Sequence, residues 1–331
     1  MISVIMSVYN ETAEEIRASV ESLLCQTYQD FEIIIVNDNP QNKDLAQLLE
    51  EIGGYDDRIR IYQNEINVGL ALSMNVAAKM AKGDVLVRMD ADDIAMSQRL
   101  EKEYENLKNG GFDCVCSNFS LIDENSDDIH AGQAAMTYRA GNNIALDIFT
   151  RGIIHHPTVM MTREIFDKVC GYRNFPCSQD RDLWLRFIDV GCKFLYLDDI
   201  LLKYRIREQS ISKQKAILQQ LTIEYINKLF IQRIIRKGTD DYSLDNYHAF
   251  LRGRGYQNSN KIKKMEKSSG LLGYAKKYKQ QGRPVAAMIC RMCAFATNSI
   301  NRNIWLQRNI CKGLVKRHIM RSYKEKQELE K

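Results

Sequence analysis

The chain has 331 residues, of which 45% are hydrophobic and four are proline. This is enough for one substantial α/β domain of about 200–250 residues with an appendage, and it argues against long disordered linkers. The chain opens on a short apolar segment without a basic leader, and no run reaches the roughly 20 apolar residues that cross a bilayer. We therefore expect a cytoplasmic protein, or one attached to the inner face of the cell membrane without spanning it.

Charge is divided unevenly along the chain. Residues 252–331 contain 20 Lys and Arg against 4 Asp and Glu, whereas the preceding residues contain 27 against 38. An acidic domain with a basic tail indicates an anionic partner for the tail, with lipid headgroups ahead of nucleic acid. The nine cysteines are scattered. Because a lone Cys-x-x-Cys pair is weak support for zinc, we interpret them as reduced thiols.

The first ninety residues alternate strand and helix patterns. Strands are predicted at Ile2–Val8, Phe31–Val36, Arg58–Tyr62 and Asp84–Met89. Helices are predicted after a capping box at Thr12, at Leu45–Ile52 and at Val68–Ala81. This alternation predicts a mixed, mainly parallel α/β sheet with helices on both faces, in which ligands bind beyond the carboxyl ends of the strands. Three polar clusters fall at those ends: Tyr9–Glu11, Asn37–Asn39 and Asp90–Asp93.

Beyond residue 97 the order is looser. We predict a helix at Gln98–Leu107, a strand at Cys114–Ile122, a strand at Thr158–Thr162, a helix from about 180 to 190 and a final strand at Leu201–Arg205. After about residue 213 only helical patterns remain. They include a hairpin that turns at Gly282–Pro284 and an apolar stripe formed by Ile300, Ile304, Cys311, Val315 and Ile319.

The segment Asp90-Ala91-Asp92-Asp93 follows a hydrophobic strand. Three carboxylates within four residues repel one another unless a cation or hydrogen-bond donors compensate them. Hard oxygen ligands of this kind favour Mg²⁺ or Mn²⁺, which also take phosphate oxygens of substrates. A solvated acidic turn or a helix cap is the alternative, and the position after a buried strand favours the metal site.

Several motifs occur in an order that indicates a family. They are Ser7-Val-Tyr-Asn-Glu11, Val36-Asn-Asp38, Asn67-Val-Gly-Leu70 with Asn75, Gly83-Asp84, Arg88-Met-Asp-Ala-Asp-Asp93, His156-Pro-Thr-Val-Met160, Gly171-Tyr172, Gln179-Asp-Arg-Asp-Leu-Trp-Leu-Arg186 and Tyr204-Arg-Ile-Arg207 with Ser210 and Ser212. The set resembles family 2 glycosyltransferases of the GT-A fold, above all the bacterial enzymes that build capsule, exopolysaccharide or lipopolysaccharide chains. The resemblance covers about residues 1–213. It implies a nucleotide-sugar-binding half at 1–95 and an acceptor half at 96–213, followed by a basic helical region at 214–331.

The resemblance also implies roles for individual residues. Asp38 would bind a uracil-type base, with the backbone near Val8 and Tyr9 lining the pocket. Asp92 would be the main ligand of the metal ion, Asp90 would approach the ribose or the metal, and Asp93 would support them. His156 would lie near the metal-bound diphosphate or the acceptor, as a further candidate ligand of the metal. The remaining nucleotide-sugar contacts would come from Asn10, Glu11, Asn67, Gly69, Asn75, Arg88 and Ala91.

On the acceptor side, Asp180 matches the catalytic base of the family. A carboxylate in the first turn of a helix is stabilised as an anion, so it can accept a proton from an attacking hydroxyl. Helix capping is the alternative role. Gln179 replaces the acidic residue that commonly precedes the base, and Asn39-Pro40-Gln41 replaces a small-residue turn after Asp38. The first departure alters the surroundings of the catalytic base, and the second alters contacts with the nucleobase or the ribose. Neither removes the metal site or Asp180.

Three further side chains each allow two roles. Trp184 is expected on the acceptor side, where it either stacks on a sugar ring or belongs to the core, and Arg88 either contacts phosphate or forms a structural salt bridge. His156 is either a functional residue or a structural one.

The role of the basic tail is also open. It binds an anionic membrane, packs on the catalytic domain, or contacts a second copy in a homodimer. A nucleic-acid- or membrane-binding protein without catalysis is the competing function, although no nucleic-acid-binding motif is present. The expected partners are a nucleotide-sugar and a glycan or polyprenyl-diphosphate-linked saccharide acceptor, and no nucleic acid is expected.

Overall fold

The computed structural model describes residues 1–129, 142–207 and 216–329. The chain divides into two compact units. Unit 1 comprises Met1–Glu208 together with Ile319–Lys331, and unit 2 comprises Gln209–His318. Unit 1 contains an eight-stranded sheet with the strand order β3-β2-β1-β4-β7-β6-β8-β5. The predicted fold class, a mixed and mainly parallel α/β sheet followed by helices, is confirmed.

The parallel part of the sheet consists of β1 (Ile2–Val8), β2 (Phe31–Asn37), β3 (Ile59–Gln63) and β4 (Val85–Arg88). Helices α1 (Ala13–Leu24), α2 (Lys43–Gly53) and α3 (Leu70–Met80) connect these strands in turn. Strands β1, β2 and β4 are almost continuously buried, as expected for parallel strands that are covered on both faces. The predicted capping box is present, since Thr12 accepts from the backbone of Glu15 and Glu15 from that of Thr12.

The second part of the sheet contains antiparallel pairs. It is built from β5 (Ile94–Ala95), α4 (Arg99–Asn109), β6 (Cys114–Ile122), α5 (Asn142–Arg151), β7 (Val159–Thr162), α6 (Arg163–Lys168), α7 (Gln179–Asp189) and β8 (Phe194–Arg205). Strand β7 is antiparallel to both β4 and β6. The sequence did not predict β5, α5 or α6, and it predicted only the last five residues of β8.

Close contacts fix strand β4 between its neighbours β1 and β7. Gly83 precedes β4, and a Cβ atom there would lie 2.7 Å from the carbonyl oxygen of Met1. Arg99 is fully buried, and its Nη2 atom donates to the carbonyls of Arg88 and Pro157 at 2.9 and 2.7 Å. Because Arg88 ends β4 and Pro157 precedes β7, this side chain fixes the spacing between them.

The residues from 216 to 329 are mainly helical, as predicted. The helices are α8 (Ala216–Ile235), α9 (Leu244–Arg254), α10 (Ser259–Gln280), α11 (Pro284–Thr297), α12 (Ser299–Ile310) and α13 (Lys312–Leu329). Helices α10 and α11 form the predicted hairpin. Ile300, Val315 and Ile319 of the predicted apolar stripe are buried, so they belong to the packed interior. Among the described residues, no helix combines the length and the apolar character that spanning a bilayer requires.

Candidate active site

The carboxylates of Asp90, Asp92 and Asp93 meet at the carboxyl end of β4. One carboxylate oxygen from each residue lies within 4.8 Å of the corresponding oxygens of the other two. Burial, reinforced by the charge of Asp90, raises the pKa of Asp92 to about 7. Burial and the charges of Asp90 and Asp92 also raise the pKa of Asp93 well above its usual range. Three closely spaced carboxylates with little access to water favour the binding of a cation, because a cation offsets their mutual repulsion.

Cationic groups of the protein already contact this cluster. Arg88 forms an ion pair with Asp90, and Nε of Arg207 lies 3.0 Å from Oδ2 of Asp92. The backbone N–H of Arg205 donates to Oδ1 of Asp93 at 2.9 Å. The second oxygen of Asp93, Oδ2, is buried without a hydrogen-bond partner among the described residues. An unpartnered carboxylate oxygen in a set of hard oxygen donors fits a divalent cation such as Mn²⁺ or Mg²⁺.

The ends of β1 and β2 form the neighbouring wall. The backbone N–H groups of Tyr9 and Asn10 donate to Oε2 of Glu11 at 2.7 and 3.1 Å. Burial raises the pKa of Glu11, and the charge of Asp90 contributes in the same direction. The side chain of Asn39 donates to the carbonyl of Tyr9 at 2.9 Å. This asparagine, a departure from the family pattern, therefore ties the two strand ends together.

Asp38 is buried at the end of β2, where its carboxylate organises the next loop. It accepts hydrogen bonds from the backbone N–H groups of Val68 and Gly69, both at 2.9 Å, and from the side chain of Asn64 at 2.7 Å. Gly69 has φ of 83°, in the left-handed region that favours glycine. Asn67 is exposed beside it. Asp38 thus shapes the loop that contains Asn67 and Gly69, and its contact with a base stays a prediction.

Asn75 joins α3 to the acceptor half. Its side chain donates to the carbonyl of Tyr172 and accepts from the N–H of Tyr172, both at 2.8 Å. The phenol of Tyr172 lies 2.7 Å from Nε2 of His156. Burial and the charge of Arg88 hold the pKa of His156 well below its usual range, so the imidazole is neutral. Because Nε2 is engaged with Tyr172, a ligand role for His156 stays a prediction.

Asp180 is the second residue of α7, and Ser178 occupies the N-cap position. Burial raises the pKa of Asp180, while backbone N–H groups of the helix start and the charges of Arg181 and Arg88 act to lower it. Arg88 also interacts electrostatically with Asp90 and Tyr172. The charge of this buried arginine therefore acts on both the carboxylate cluster and Asp180. Two of its nitrogen atoms, Nε and Nη1, have no hydrogen-bond partner among the described residues.

Gln179 and Trp184, the remaining acceptor-side candidates, are buried. Gln179 begins α7, and Trp184 is 2% exposed, with its ring against those of His156 and Phe187. This packing favours the core role of Trp184 over sugar stacking. Val8 and Ala91 are also buried, at the ends of β1 and β4.

Tyr172 and Arg207 lie in motifs of the family and Glu15 lies in the capping box, but the sequence assigned none of the three a role at the site. Ser210 and Ser212, which follow Arg207 in its motif, lie outside the described residues. Arg207 donates to Glu15 at 2.8 Å across 192 positions of sequence, and Glu15 lies in the first turn of α1. The signal available was the pair Arg205 and Arg207, spaced by two at the end of the last strand, which places both side chains on one face. Nothing local indicated that this face meets Asp92 and Glu15.

The carboxylate cluster lies beyond the carboxyl end of β4, which is where α/β proteins with parallel strands commonly bind their ligands. Residues 3–170 match the sequence model of glycosyl transferase family 2, and the chain belongs to this family. It is a glycosyltransferase with a GT-A-type fold.

Relatives and solved structures agree with this assignment. The chain is 35% identical over 218 residues to an uncharacterized glycosyltransferase of Methanocaldococcus jannaschii, an alignment that covers 65% of this chain and 74% of the relative. It is 33% identical over 215 residues to the O-antigen biosynthesis glycosyltransferase WbnJ of Escherichia coli, covering 64% and 82%. The crystal structure of S. aureus TarS in complex with UDP-GlcNAc has the same fold, with a TM-score of 0.59 at 16% identity over 99% of this chain and 91% of that chain.

Proposed function

We propose that the chain is an inverting, metal-dependent glycosyltransferase that moves a sugar from a nucleotide-sugar to a hydroxyl group of a glycan or lipid-linked glycan in surface polysaccharide biosynthesis. Residues 1–95 bind the donor, residues 96–213 bind the acceptor, and residues 214–331 form a basic helical region. The observation that carries this proposal is the cluster of Asp90, Asp92 and Asp93 after β4, in which the buried Oδ2 atom of Asp93 has no hydrogen-bond partner among the described residues.

The donor is a UDP-sugar. The solved structure of TarS contains UDP-GlcNAc, and WbnJ acts in O-antigen biosynthesis. In this chain the ends of β1 and β2 supply the nucleotide contacts, from the backbone of Val8 and Tyr9 and from Asp38. The loop that contains Asn67 and Gly69, which Asp38 holds by hydrogen bonds, completes this side of the nucleotide site.

The divalent cation, Mn²⁺ or Mg²⁺, is held by Asp92 and Asp90, with Asp93 behind them. When bound, it neutralises negative charge on the diphosphate that leaves the sugar. Asp90 and Asp92 would hold the cation, and through it the diphosphate, at the carboxyl end of β4. Arg88 holds Asp90 in place through their ion pair.

Asp180 acts as the general base. Its carboxylate accepts the proton of the acceptor hydroxyl while the hydroxyl oxygen forms a bond to the anomeric carbon. The bond from that carbon to the diphosphate oxygen breaks on the opposite face, so the configuration inverts. The N–H groups at the start of α7 stabilise the carboxylate before it takes the proton.

The acceptor is a glycan or a polyprenyl-diphosphate-linked saccharide, and the enzyme works in the cytoplasm at the inner face of the cell membrane. The basic composition of residues 252–331 supports this location, since anionic lipids attract such segments. The same proposal assigns no nucleic-acid partner.

Three variants test the roles of the carboxylates. Release of UDP from UDP-GlcNAc with Mn²⁺, with water in place of the acceptor hydroxyl, measures the reaction, and the thermal shift caused by UDP with Mn²⁺ measures donor binding. Asp180→Asn should lower the rate by about 10²–10⁴-fold and keep the thermal shift. Asp92→Asn should lose both. Asp57→Asn, an exposed aspartate far from the site in sequence, is the matched control and should change neither.

The results separate the parts of the proposal. An unchanged rate in Asp180→Asn would remove the base assignment. A thermal shift by UDP that is equal with and without Mn²⁺ would remove the metal dependence and leave the nucleotide site standing.

A further inference from the structure

Helix α11 of unit 2 presents large apolar side chains to solvent. Val285, Met288, Ile289 and Met292 are 65%, 57%, 54% and 64% exposed. Their spacing of three and four residues places them on one side of the helix. We call these four residues the α11 stripe. Exposed methionine, isoleucine and valine in one continuous row cost free energy in water, so such a row indicates a partner.

The opposite side of α11 is already packed. Ala287 and Ala294 are buried there, and the hydroxyl of Ser268 on α10 donates to the carbonyl of Ala294 at 2.8 Å. The small residues of α11 therefore face its neighbour α10, while the large ones face outward. This orientation is the reverse of an amphipathic helix that only stabilises its own domain.

The hairpin that contains the α11 stripe is strongly basic. Residues 259–297 contain nine Lys and Arg against the single acidic residue Glu266. All nine are exposed, and in the described parts of the chain none of them forms an ion pair. They are Lys261, Lys263, Lys264, Lys267, Lys276, Lys277, Lys279, Arg283 and Arg291.

An anionic lipid surface matches both features. A buried protein interface disfavours lysine at its core, and single-stranded nucleic acid is bound on aromatic rather than aliphatic side chains. A helix with an apolar face and a cationic surround lies in the plane of the interface, with its apolar face at the boundary between headgroups and acyl chains. Helix α11 has 14 residues and is too short to span a bilayer.

We propose that the α10–α11 hairpin docks unit 2 on an anionic membrane, with the α11 stripe inserted and the nine cations at the headgroups. This proposal rests on the proposed function, in which the acceptor is linked to a lipid, and it names the surface of the protein that contacts the membrane. The docking is measured without donor or acceptor, so it can fail while transfer succeeds, and transfer can fail while docking succeeds.

Sedimentation of the full chain with vesicles tests the docking. Vesicles of phosphatidylcholine with phosphatidylglycerol should bind the protein, binding should fall at high salt, and phosphatidylcholine alone should bind it weakly. Replacing all four residues of the α11 stripe by serine should weaken binding by on the order of 100-fold. The matched control Ile200→Ser with Ile235→Ser, two exposed isoleucines elsewhere, should bind like the parent chain.

A second pair of variants tests the cations. Lys276→Gln, Lys277→Gln and Lys279→Gln together should weaken binding by about fivefold for each charge removed. The same charge change at the exposed residues Lys43, Lys79 and Lys108 of unit 1 should have no effect. Equal thermal midpoints for all variants would confirm that they fold, because every substituted side chain is exposed.

A fluorescent reporter checks the insertion directly. Met288→Trp in a Trp305→Phe background should shift its emission to shorter wavelength when anionic vesicles are added, while Trp184 is buried and should not respond. Binding that survives the serine variant but is lost in the glutamine variant would overturn the proposal in favour of a purely electrostatic site. A parent chain that is dimeric, with a monomeric serine variant, would overturn it in favour of an interface between two copies.

Discussion

Positive charge has opposite uses in the two units of this protein. In unit 1, buried arginines bond to the chain's own acceptors: Arg99 bonds to Glu103 and to two backbone carbonyls, and Arg205 donates to the carbonyls of Asp92 and Asp123. In the α10–α11 hairpin, the nine cations are exposed and have no ion-pair partner in the described ranges. Charges of the first kind hold parts of the fold together, whereas charges of the second kind are available to an external anion.

The largest test of this contrast replaces one charge of each kind by the same residue. Arg99 is fully buried, bonded to Glu103 and to two backbone carbonyls. Arg99→Met should lower the free energy of unfolding by about 3–5 kcal/mol, because it leaves the buried carboxylate of Glu103 without its cation. Lys277→Met, at an exposed position, should change it by less than about 0.5 kcal/mol. Urea unfolding measures both.

Equal losses in the two variants would contradict the contrast. Arg99→Met should also lower the transfer rate, since Arg99 positions the carbonyl of Arg88 next to the carboxylate cluster. Lys277→Met should leave the rate unchanged.

A smaller loss of stability is expected when an uncharged residue, asparagine, is replaced in each of the two units. Asn75 makes two hydrogen bonds to the backbone of Tyr172 in unit 1, whereas Asn309 makes one exposed bond to its own helix in unit 2. Asn75→Ala should lower the free energy of unfolding by about 2–3 kcal/mol, and Asn309→Ala by about 0.5 kcal/mol or less. If Asn75→Ala left both the stability and the transfer rate unchanged, the hydrogen bonds between α3 and Tyr172 would contribute to neither.

The carboxylate cluster predicts a pH dependence of stability in the metal-free protein. Asp92 has a pKa raised from 3.8 to about 7, so the folded state binds its proton more tightly than the unfolded state. Stability from this group is therefore present at low pH and is lost as the pH rises from about 4 to about 7. Asp92→Asn should stabilise the metal-free protein by about 2 kcal/mol near pH 8 and by almost nothing near pH 4.

Thermal unfolding across this pH range, with a chelator present, measures the effect. Asp57→Asn is the control, because this aspartate is exposed and far from the cluster in sequence. A destabilised Asp92→Asn at pH 8 would show that its ion pair with Arg207 outweighs the repulsion within the cluster.

The sequence predicted the elements whose apolar pattern is local and nearly uninterrupted. Strands β1 and β2 have the predicted bounds to within one residue, because only isolated polar residues break their apolar runs. Strand β8 was predicted too short, because exposed Asp198 and Asp199 interrupt its pattern and hide the buried residues before them. The two-residue strand β5 carries no pattern of its own, since its pairing with β8 defines it.

The site shows the same division between local and distant information. The Asp90–Asp93 cluster follows from a strand and the three carboxylates after it. The contact of Arg207 with Glu15 and Asp92 depends on how residues more than 100 positions apart fold together, and no local pattern encodes it. Three of the five residues of the apolar stripe predicted in the tail are buried, because periodicity gives the spacing of a face and not the direction in which it points.

The smallest expected effect compares glycines of the two units. Gly273 lies inside α10 with no atom within 4 Å of an added Cβ, so Gly273→Ala should stabilise unit 2 by about 0.5–1 kcal/mol through the reduced entropy of the unfolded chain. Gly83→Ala, the matched change in unit 1, should destabilise instead, because its Cβ would lie 2.7 Å from the carbonyl of Met1 and from the hydroxyl of Ser3. Thermal midpoints should move in opposite directions. A lower midpoint for Gly273→Ala would mean that α10 is not a continuous helix at this residue, and the hairpin surface would then have to be redrawn.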